Sequence, residues 1–327
     1  MPRVSVILPA YNAETYIEEA VRSVLGQTLT DFELIVLDDC SKDRTAAILQ
    51  SICDPRLVYV KNEQNMGVAA TLNRGLSLAQ GEYIARMDAD DISLHRRLEA
   101  QVAYLDRHPD IAVLGTNVET FDENGPLHTG WSATDPAQMN VDLLFSCGIA
   151  HPSVMMRKSV IEALGGYDRN FEGLEDYELW CRVSKTHGVT TLPEVLFRYR
   201  VHSGQVTKNP SEKYLLRLRA LKDRQMAELG LEKNQFFFDF SAGKRPKTLE
   251  ELTEAANFFE NVLAANAAVH RYHEALLSDS FRSILLSGAA QLSPAEQKAL
   301  RARTGLLTAG DLLRHTLKSK LKRLLGR

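Results

Sequence analysis

The sequence predicts an α/β protein: a mostly parallel sheet flanked by helices, followed by a helical C-terminal extension. Three observations lead there. Short apolar runs alternate with amphipathic segments through the first hundred residues; acidic and polar groups follow the runs; and from Ser211 onward the pattern is almost wholly helical.

Val4–Leu8 is a short apolar run ended by Pro9, as a buried strand would be. Ile17, Ala20, Val21, Val24 and Leu25 then recur at the spacing of one helical face. Phe32–Leu37 is the second run, with a helix near Thr45–Ser51; Leu57–Val60 is the third, with a helix from about Val68 to Leu78. Tyr83–Met87 is the fourth, with a helix from about Leu94 to Arg107. Strand and helix alternating in this way give βαβ units. After Pro109 the reading is Ile111–Thr116 and Asn117–Phe121 as strands, with a turn at Asp122–Gly125. His151–Met156 follows as a strand, then a helix from Lys158 closed by Gly165-Gly166, a helix over Tyr177–Lys185 and a strand over Val195–Arg200. The helical remainder has a break at Phe240–Lys247, and the boundary before it falls near Ser203–Pro210.

Composition narrows the function. The 327 residues are 44% hydrophobic and 25% charged, enough for one large domain with a smaller one. The net charge of −3 gives no sign of a nucleic-acid partner, but it is unevenly spread. Glu296–Arg327 carries nine Lys/Arg against two acids, a local +7, which leaves −10 on the other 295 residues. Such a basic tail suits an anionic surface. Cys40, Cys53, Cys147 and Cys181 form no CxxC pair and fit a reducing compartment. Only three residues precede the first strand, too few for a secretory leader, and no window of ~18 apolar residues exists to span a bilayer. The expected location is the cytoplasm, either free or at the inner face of the cell membrane.

In open α/β sheets, ligands sit beyond the carboxyl ends of the strands. The residues there are Pro9-Ala10-Tyr11-Asn12, Asp38-Asp39-Cys40-Ser41, Lys61-Asn62 and Asp88-Ala89-Asp90-Asp91. The last carries the most chemistry. A hard divalent cation beside phosphates needs one or two protein carboxylates, and Mg²⁺ or Mn²⁺ suits such a site. Asp88 and Asp90 are two apart, so in an extended stretch both face one ion. The competing reading is an Asp-rich turn in which Asp91 or Ser93 caps the next helix.

Eight segments in order, VSVILPAYNAETYIEEAVRSVLGQT, ELIVLDDCSKDRT, NMGVAATLNRGL, GEYIARMDADD, HPSVMMRK, GGYD, LEDYELWCR and YRVHSGQVT, resemble the family 2 glycosyltransferases of GT-A fold, over roughly the first 207 residues. The resemblance implies a Rossmann-like sheet and an inverting, metal-dependent transfer. A sugar would pass from a nucleotide diphosphate, UDP being expected and dTDP or GDP left open, to a hydroxyl of a glycan or lipid-linked acceptor in surface polysaccharide synthesis. It divides the chain into a transferase domain over 1–207 (nucleotide-sugar half about 1–110, acceptor half about 111–207) and a helical region over 208–327. It also implies roles. Pro9, Ala10 and Tyr11 line the base pocket with Glu14 beside them, Asp39 bonds the uracil next to Asp38, and Asn65 lies in the Asn-Met-Gly segment of the nucleotide side. Asp88, Ala89 and Asp90 form the D-x-D that meets ribose, metal and diphosphate, with Asp90 as the direct metal ligand. Asp176 is the catalytic base, with Glu175 adjacent, and His151 falls on the acceptor side; Trp180, one helical turn on and on the same side, reads as core before sugar-stacking platform. His202 completes the metal shell or reaches the diphosphate, with Arg200 as the alternative phosphate contact.

The chain departs from the family pattern twice. Cys40 stands where the second motif usually has Gly, which puts the local turn in question. Leu72 stands where an Arg often precedes the second Asn, so that contact to the nucleotide is either missing or supplied by Arg74 or Arg86. A sugar-phosphate nucleotidyltransferase is a rival, yet no GxGxxG or GxxxxGK[ST] loop is present. A non-catalytic domain that binds nucleotide-sugar or glycan is another. In the tail, Leu312, Leu313, Leu317, Leu321, Leu324 and Leu325 share a face surrounded by Lys and Arg. That pattern suits an interfacial helix on anionic membrane, or one packed on the body or in a homodimer.

Overall fold

The computed structural model describes residues 1–130, 133–202, 211–308 and 310–311. Two compact units emerge, Met1–Leu143 with Cys147–Tyr214, and Leu144–Ser146 with Leu215–Arg327. The stretch around Ser203–Pro210 and the tail run Leu312–Leu325, both singled out from the sequence, lie outside the described residues.

In the first unit, β1 (Val4–Ala10), β2 (Phe32–Asp38), β3 (Leu57–Lys61) and β4 (Tyr83–Arg86) run parallel in the order β3-β2-β1-β4. Their crossovers are α1 (Ile17–Leu25), α2 (Thr45–Ser51) and α3 (Val68–Leu78). The predicted stripe of α1 is the face that packs: Ile17, Ala20, Val21 and Val24 are buried with Val4, Val6 and Leu8 in one apolar core. At about 25 cal/mol per Å² of apolar area removed from water, this burial is what holds the helix to the sheet.

The sheet then continues β4-β8-β6-β9-β5. These strands are β5 (Ile92–Ser93), β6 (Ile111–Asp122), β8 (Met155–Arg157) and β9 (Gly188–Arg200), with β7 (Gly125–Thr129) paired to β6. β8 is antiparallel to β4 and β6, and β5 to β9, while β6 and β9 are parallel. The first half of the sheet is therefore parallel and the second mixed. α4 (Arg97–Arg107), α5 (Pro136–Phe145), α6 (Lys158–Ala163) and α7 (Glu175–Val183) complete the first unit's helices, α5 running on into the second.

Local readings differ in five places, one being β9, which begins at Gly188 and not at Val195. The two strands expected over Ile111–Phe121 are one, and the Thr116/Asn117 break is a register shift against β9. His151–Ser153 is a 3-10 turn rather than strand; Pro152 has no N–H for a ladder, and pairing starts at Met155. α4 begins at Arg97, not Leu94, because Ile92–Ser93 pairs with β9. α7 begins two residues early, which puts Glu175 and Asp176 in its first turn.

The second unit contains most of α8 (Glu212–Glu228), with α9 (Gln235–Ser241), α10 (Leu249–Val269), α11 (Glu274–Ala289) and α12 (Pro294–Arg303). Phe259 stacks on Phe281 at 4.2 Å between centroids, and Phe145 meets Phe237, Phe240 and Phe281 edge-on. The break in the pattern lies between Ser241 and Thr248, where Thr248 and Glu251 form a reciprocal capping box that starts α10. Among the described residues, no helix is long and apolar enough to cross a membrane.

Candidate active site

The register of the parallel strands brings their carboxyl ends level: Ala10 pairs with Asp38, and Asp38 with Lys61. The loops leaving this edge are tied by side chains. Asn12 N donates to Ser41 Oγ (3.0 Å), Lys42 N to Asn12 Oδ1 (2.8 Å), and Arg44 N to Glu14 Oε2 (2.9 Å). Asp38 is fully buried and accepts from Ser41 N (2.8 Å) and the Tyr59 hydroxyl (2.9 Å). Asp39 accepts from Asn62 Nδ2 (2.6 Å), Met66 N (2.9 Å) and Gly67 N (3.0 Å). Cys40 adopts φ +67°, the left-handed conformation for which the usual Gly is suited, so the turn is kept at a cost of about 1–3 kcal/mol. Pro9 and Ala10 end β1, Tyr11 is half exposed beyond them, and Asn65 is exposed on the loop after β3.

One strand over, Ala89 and Asp90 form a turn instead of the extended stretch expected, yet the carboxylates still converge. Oxygens of Asp88, Asp90 and Asp91 all lie within 4.8 Å of one another. Asp91 does not cap α4; its Oδ1 accepts from Arg200 N (2.8 Å). Its other oxygen is buried without a hydrogen-bond partner. His202 Nε2 lies 2.9 Å from Asp90 Oδ2. Arg200 Nε donates to the Asp90 carbonyl (2.7 Å) and Nη2 to Glu19 (2.5 Å), so this guanidinium holds the acidic turn. Three converging carboxylates, one with an unmet buried acceptor, are a donor set of the kind a hard cation takes.

Arg86 joins this cluster to the other side of the pocket. It is buried and ion-paired with Asp88. Its charge also acts on Asp91, His151, Tyr167, Asp176 and Tyr199. Asp176 in turn feels Asp88. The acidic turn after β4 and the start of α7 therefore border one region, although about ninety residues separate them in the chain. Burial pushes the Asp176 carboxyl above the ordinary range, against the lowering effect of the Tyr177 N–H and of Arg86. Burial, then the neighbouring Asp176, raises Glu175 to about 7. His151 is buried and held neutral, first by burial and then by Arg86, with Nε2 2.9 Å from the Tyr167 hydroxyl.

Residues 5–165 match the sequence profile described as Glycosyl transferase family 2. A glycosyltransferase of Haemophilus influenzae is 35% identical over 218 residues, 63% of this chain and 68% of its own length. The UDP-Glc:alpha-D-GlcNAc-diphosphoundecaprenol beta-1,3-glucosyltransferase WfgD of Escherichia coli is 30% identical over 209 residues, 63% of this chain and 80% of its own. The chain is a family 2 glycosyltransferase. Among solved structures, Staphylococcus aureus TarS 1–349 shares the fold, at a TM-score of 0.58 and 18% identity over 100% of this chain and 92% of that one. The GT-A architecture expected from the sequence is present, and the nucleotidyltransferase alternative falls with the family.

Within this transferase, the surroundings of three further residues bear on the roles considered for them. Trp180 is fully buried, edge-on to His151 at 5.9 Å, so it packs the core and offers no face to an acceptor. Arg74 donates to the Lys61 carbonyl and to Asn62, which ties it to the end of β3, whereas Arg86 pairs with Asp88 and keeps a buried Nε without a hydrogen-bond partner. Other residues were not singled out from sequence. Arg97 is fully buried; Nη2 donates to the carbonyls of Arg86 (2.7 Å) and Val154 (3.1 Å), and burial lowers its pKa to about 9. Gln101 donates to the carbonyls of Leu114 (2.7 Å) and Ser153 (2.9 Å). Together they pin the strand ends on which the acidic turn is mounted. Their one signal was polar residues at i and i+4 on the face of α4 that also carries Leu98 and Leu105.

The shift on Glu175 has a measurable consequence. Its folded pKa, about 7, lies above its ordinary 4.5, so the folded state binds the extra proton across that interval. Stability is then greatest below the lower value and is lost as pH rises through the upper one, by an amount on the order of 3 kcal/mol. Glu175→Gln is expected to match the wild type in urea midpoint near pH 5 and exceed it near pH 8. A difference independent of pH would rule this out.

Proposed function

We propose that this enzyme is an inverting, metal-dependent transferase. It would move a sugar from a UDP-sugar to a hydroxyl of a glycan or lipid-linked acceptor in the synthesis of a surface polysaccharide. The observation that carries this reading is the buried Arg86 between the Asp88–Asp90–Asp91 turn and Asp176. In this reading the acidic turn binds the cation and faces the diphosphate, and Asp176, with its raised pKa, takes the proton. The name of the E. coli relative gives a UDP-glucose donor and a lipid-diphosphate acceptor, and TarS was solved with UDP-GlcNAc. Both support a UDP-sugar, and the first supports a lipid-linked acceptor here.

In this reading the nucleotide-sugar half is about 1–110. Pro9, Ala10 and Tyr11 border the base with Glu14, Asp38, Asp39 and Asn65. The Asp39 carboxylate already accepts from three protein groups, so it shapes the wall of the base pocket as well as meeting the uracil. Asp90 and Asp88, with Asp91 behind them, would hold Mn²⁺ or Mg²⁺, and His202 orients Asp90 through its 2.9 Å contact. Bound there, the ion would supply Lewis-acid stabilisation of the diphosphate.

The acceptor half, about 111–207, supplies the proton acceptor. The acceptor oxygen attacks the anomeric carbon on the face opposite the diphosphate. The bond from that carbon to the diphosphate oxygen breaks, its electron pair leaving with UDP, and the hydroxyl proton passes to Asp176. A base is most effective when its pKa approaches the working pH, and burial raises that of Asp176. Asp88 adds to the same effect by repulsion, while the neighbouring Glu175 is held by the Gly173 N–H (2.5 Å). His151, neutral and tied to Tyr167, contributes shape on the acceptor side. The helical region 208–327, with its basic amphipathic tail, would bring the enzyme to an anionic membrane surface where lipid-linked acceptors reside.

A screen of nucleotide-sugars with Mn²⁺ and with chelator tests the donor and the metal together. The expected result is metal-dependent release of UDP from one or more UDP-sugars. Turnover confined to GDP- or dTDP-sugars, or unaffected by chelator, would overturn the respective half of the reading.

A further inference from the structure

Helix α3 begins at Val68 after Gly67, which has no side chain to cap it. Its exposed N–H groups are taken by two carboxylates from distant parts of the chain. Asp39 accepts from Met66 N and Gly67 N, both at 3.0 Å or less. Glu172 accepts from Val68 N (2.6 Å) through Oε1 and from Ala69 N (3.1 Å) through Oε2. Bonds from a carboxylate to such N–H groups are charge-assisted, and the helix dipole favours them further. Gly67 sits at φ +82°, and a Cβ there would lie 2.8 Å from Glu172 Oε1, so the close approach depends on glycine.

A second tie holds the same segment to the same helix. Asn73 Nδ2 donates to the Tyr167 carbonyl (2.8 Å), and Tyr167 N donates to Asn73 Oδ1 (2.9 Å). A Cβ on Gly166 would lie 2.5 Å from that oxygen. The stretch from Gly166 to Glu172 is thus strapped along α3 at both ends. It leads directly into the first turn of α7, with Glu175 and Asp176. On the opposite side Asp39 fixes the same helix end to the wall of the nucleotide pocket.

We infer that Glu172 is a positioning residue for transfer: by clamping the segment before Asp176 to the helix end that Asp39 holds, it sets the proton acceptor in register with the bound donor. The inference rests on the proposed role of Asp176. It goes beyond a capping role, because a cap alone would serve the helix and leave the catalytic step untouched.

The test uses the full chain and the UDP-sugar turned over fastest in the screen above. Glu172→Gln keeps the size but leaves only one acceptor oxygen for two N–H groups. Its kcat is expected to fall by about 10–10²-fold, the scale on which a small misplacement acts, while the donor KM and the affinity for UDP stay as in the wild type. In an Asp176→Asn background, Glu172→Gln should cost nothing further. Glu172→Asp, which keeps two oxygens on a shorter stem, is expected to fold and to show the same kcat-only defect to a smaller degree. Weakened UDP binding in parallel with kcat, an equal loss in both backgrounds, or unchanged kcat in both variants would overturn the inference. If Asp176→Asn alone turned over like the wild type, the reading of Asp176 would fall instead.

Discussion

Asp176→Asn is expected to lower kcat by about 10²–10⁴, the span typical for loss of a positioned general base, with UDP affinity unchanged. The substitution is nearly isosteric, and the amide oxygen can still accept from the Tyr177 N–H as Oδ1 does at 2.7 Å. The start of α7 should therefore hold its place, and what is lost is the capacity to take a proton. Because burial raises the carboxyl above the ordinary range, the wild-type rate is expected to fall as pH drops through that raised pKa, whereas the variant's residual rate should not follow it. Initial rates between pH 5 and 8, with UDP titrated separately, check both. Unchanged turnover with UDP binding intact would show that Asp176 does not take the proton. Loss of UDP binding together with turnover would show that its part is structural.

The parallel half of the sheet was legible because β1, β2 and β4 are buried on both faces and α1 carries one apolar stripe. The acidic turn after β4 was legible for a related reason: strand ends are where such folds bind ligands, and Asp88–Asp91 stood there. The rest depended on long-range pairing. β8 has three residues, and only its neighbours β4 and β6 make it a strand, so the apolar run His151–Met156 misled at its start. Trp180 could be placed in the core or the pocket until its neighbours were known. Arg97 looks like surface charge in the run His95-Arg96-Arg97, yet it is sealed inside against carbonyls of Arg86 and Val154. The bonds from Glu172 to α3 span more than a hundred residues of chain, and no local pattern encodes them. Cys40 is the opposite case. The sequence raised a doubt about its turn, and the fold kept the turn by accepting an unfavourable φ.

Asp90→Ala should have the second large effect, through the donor side of the reaction. Lewis-acid stabilisation of a leaving phosphoryl oxygen is worth several kcal/mol, so losing the ion is expected to cost about 10²–10³ in kcat. Asp91 already belongs to the same donor set and its Oδ1 is engaged by the Arg200 N–H, so it adds no replacement for the lost ligand. Asp88 shares its charge with Arg86. Unlike Asp176→Asn, this variant should bind Mn²⁺ more weakly and require more of it for any residual rate, which titration calorimetry and a metal dependence of rate would both record. His202→Ala should move in the same direction by less, about 10–100-fold in metal affinity, because its 2.9 Å contact orients Asp90. A loss from His202→Ala equal to that from Asp90→Ala would make the imidazole a ligand in its own right. Wild-type Mn²⁺ affinity in Asp90→Ala would remove the acidic turn from the metal site altogether, and with it the electrostatic half of the proposed transfer.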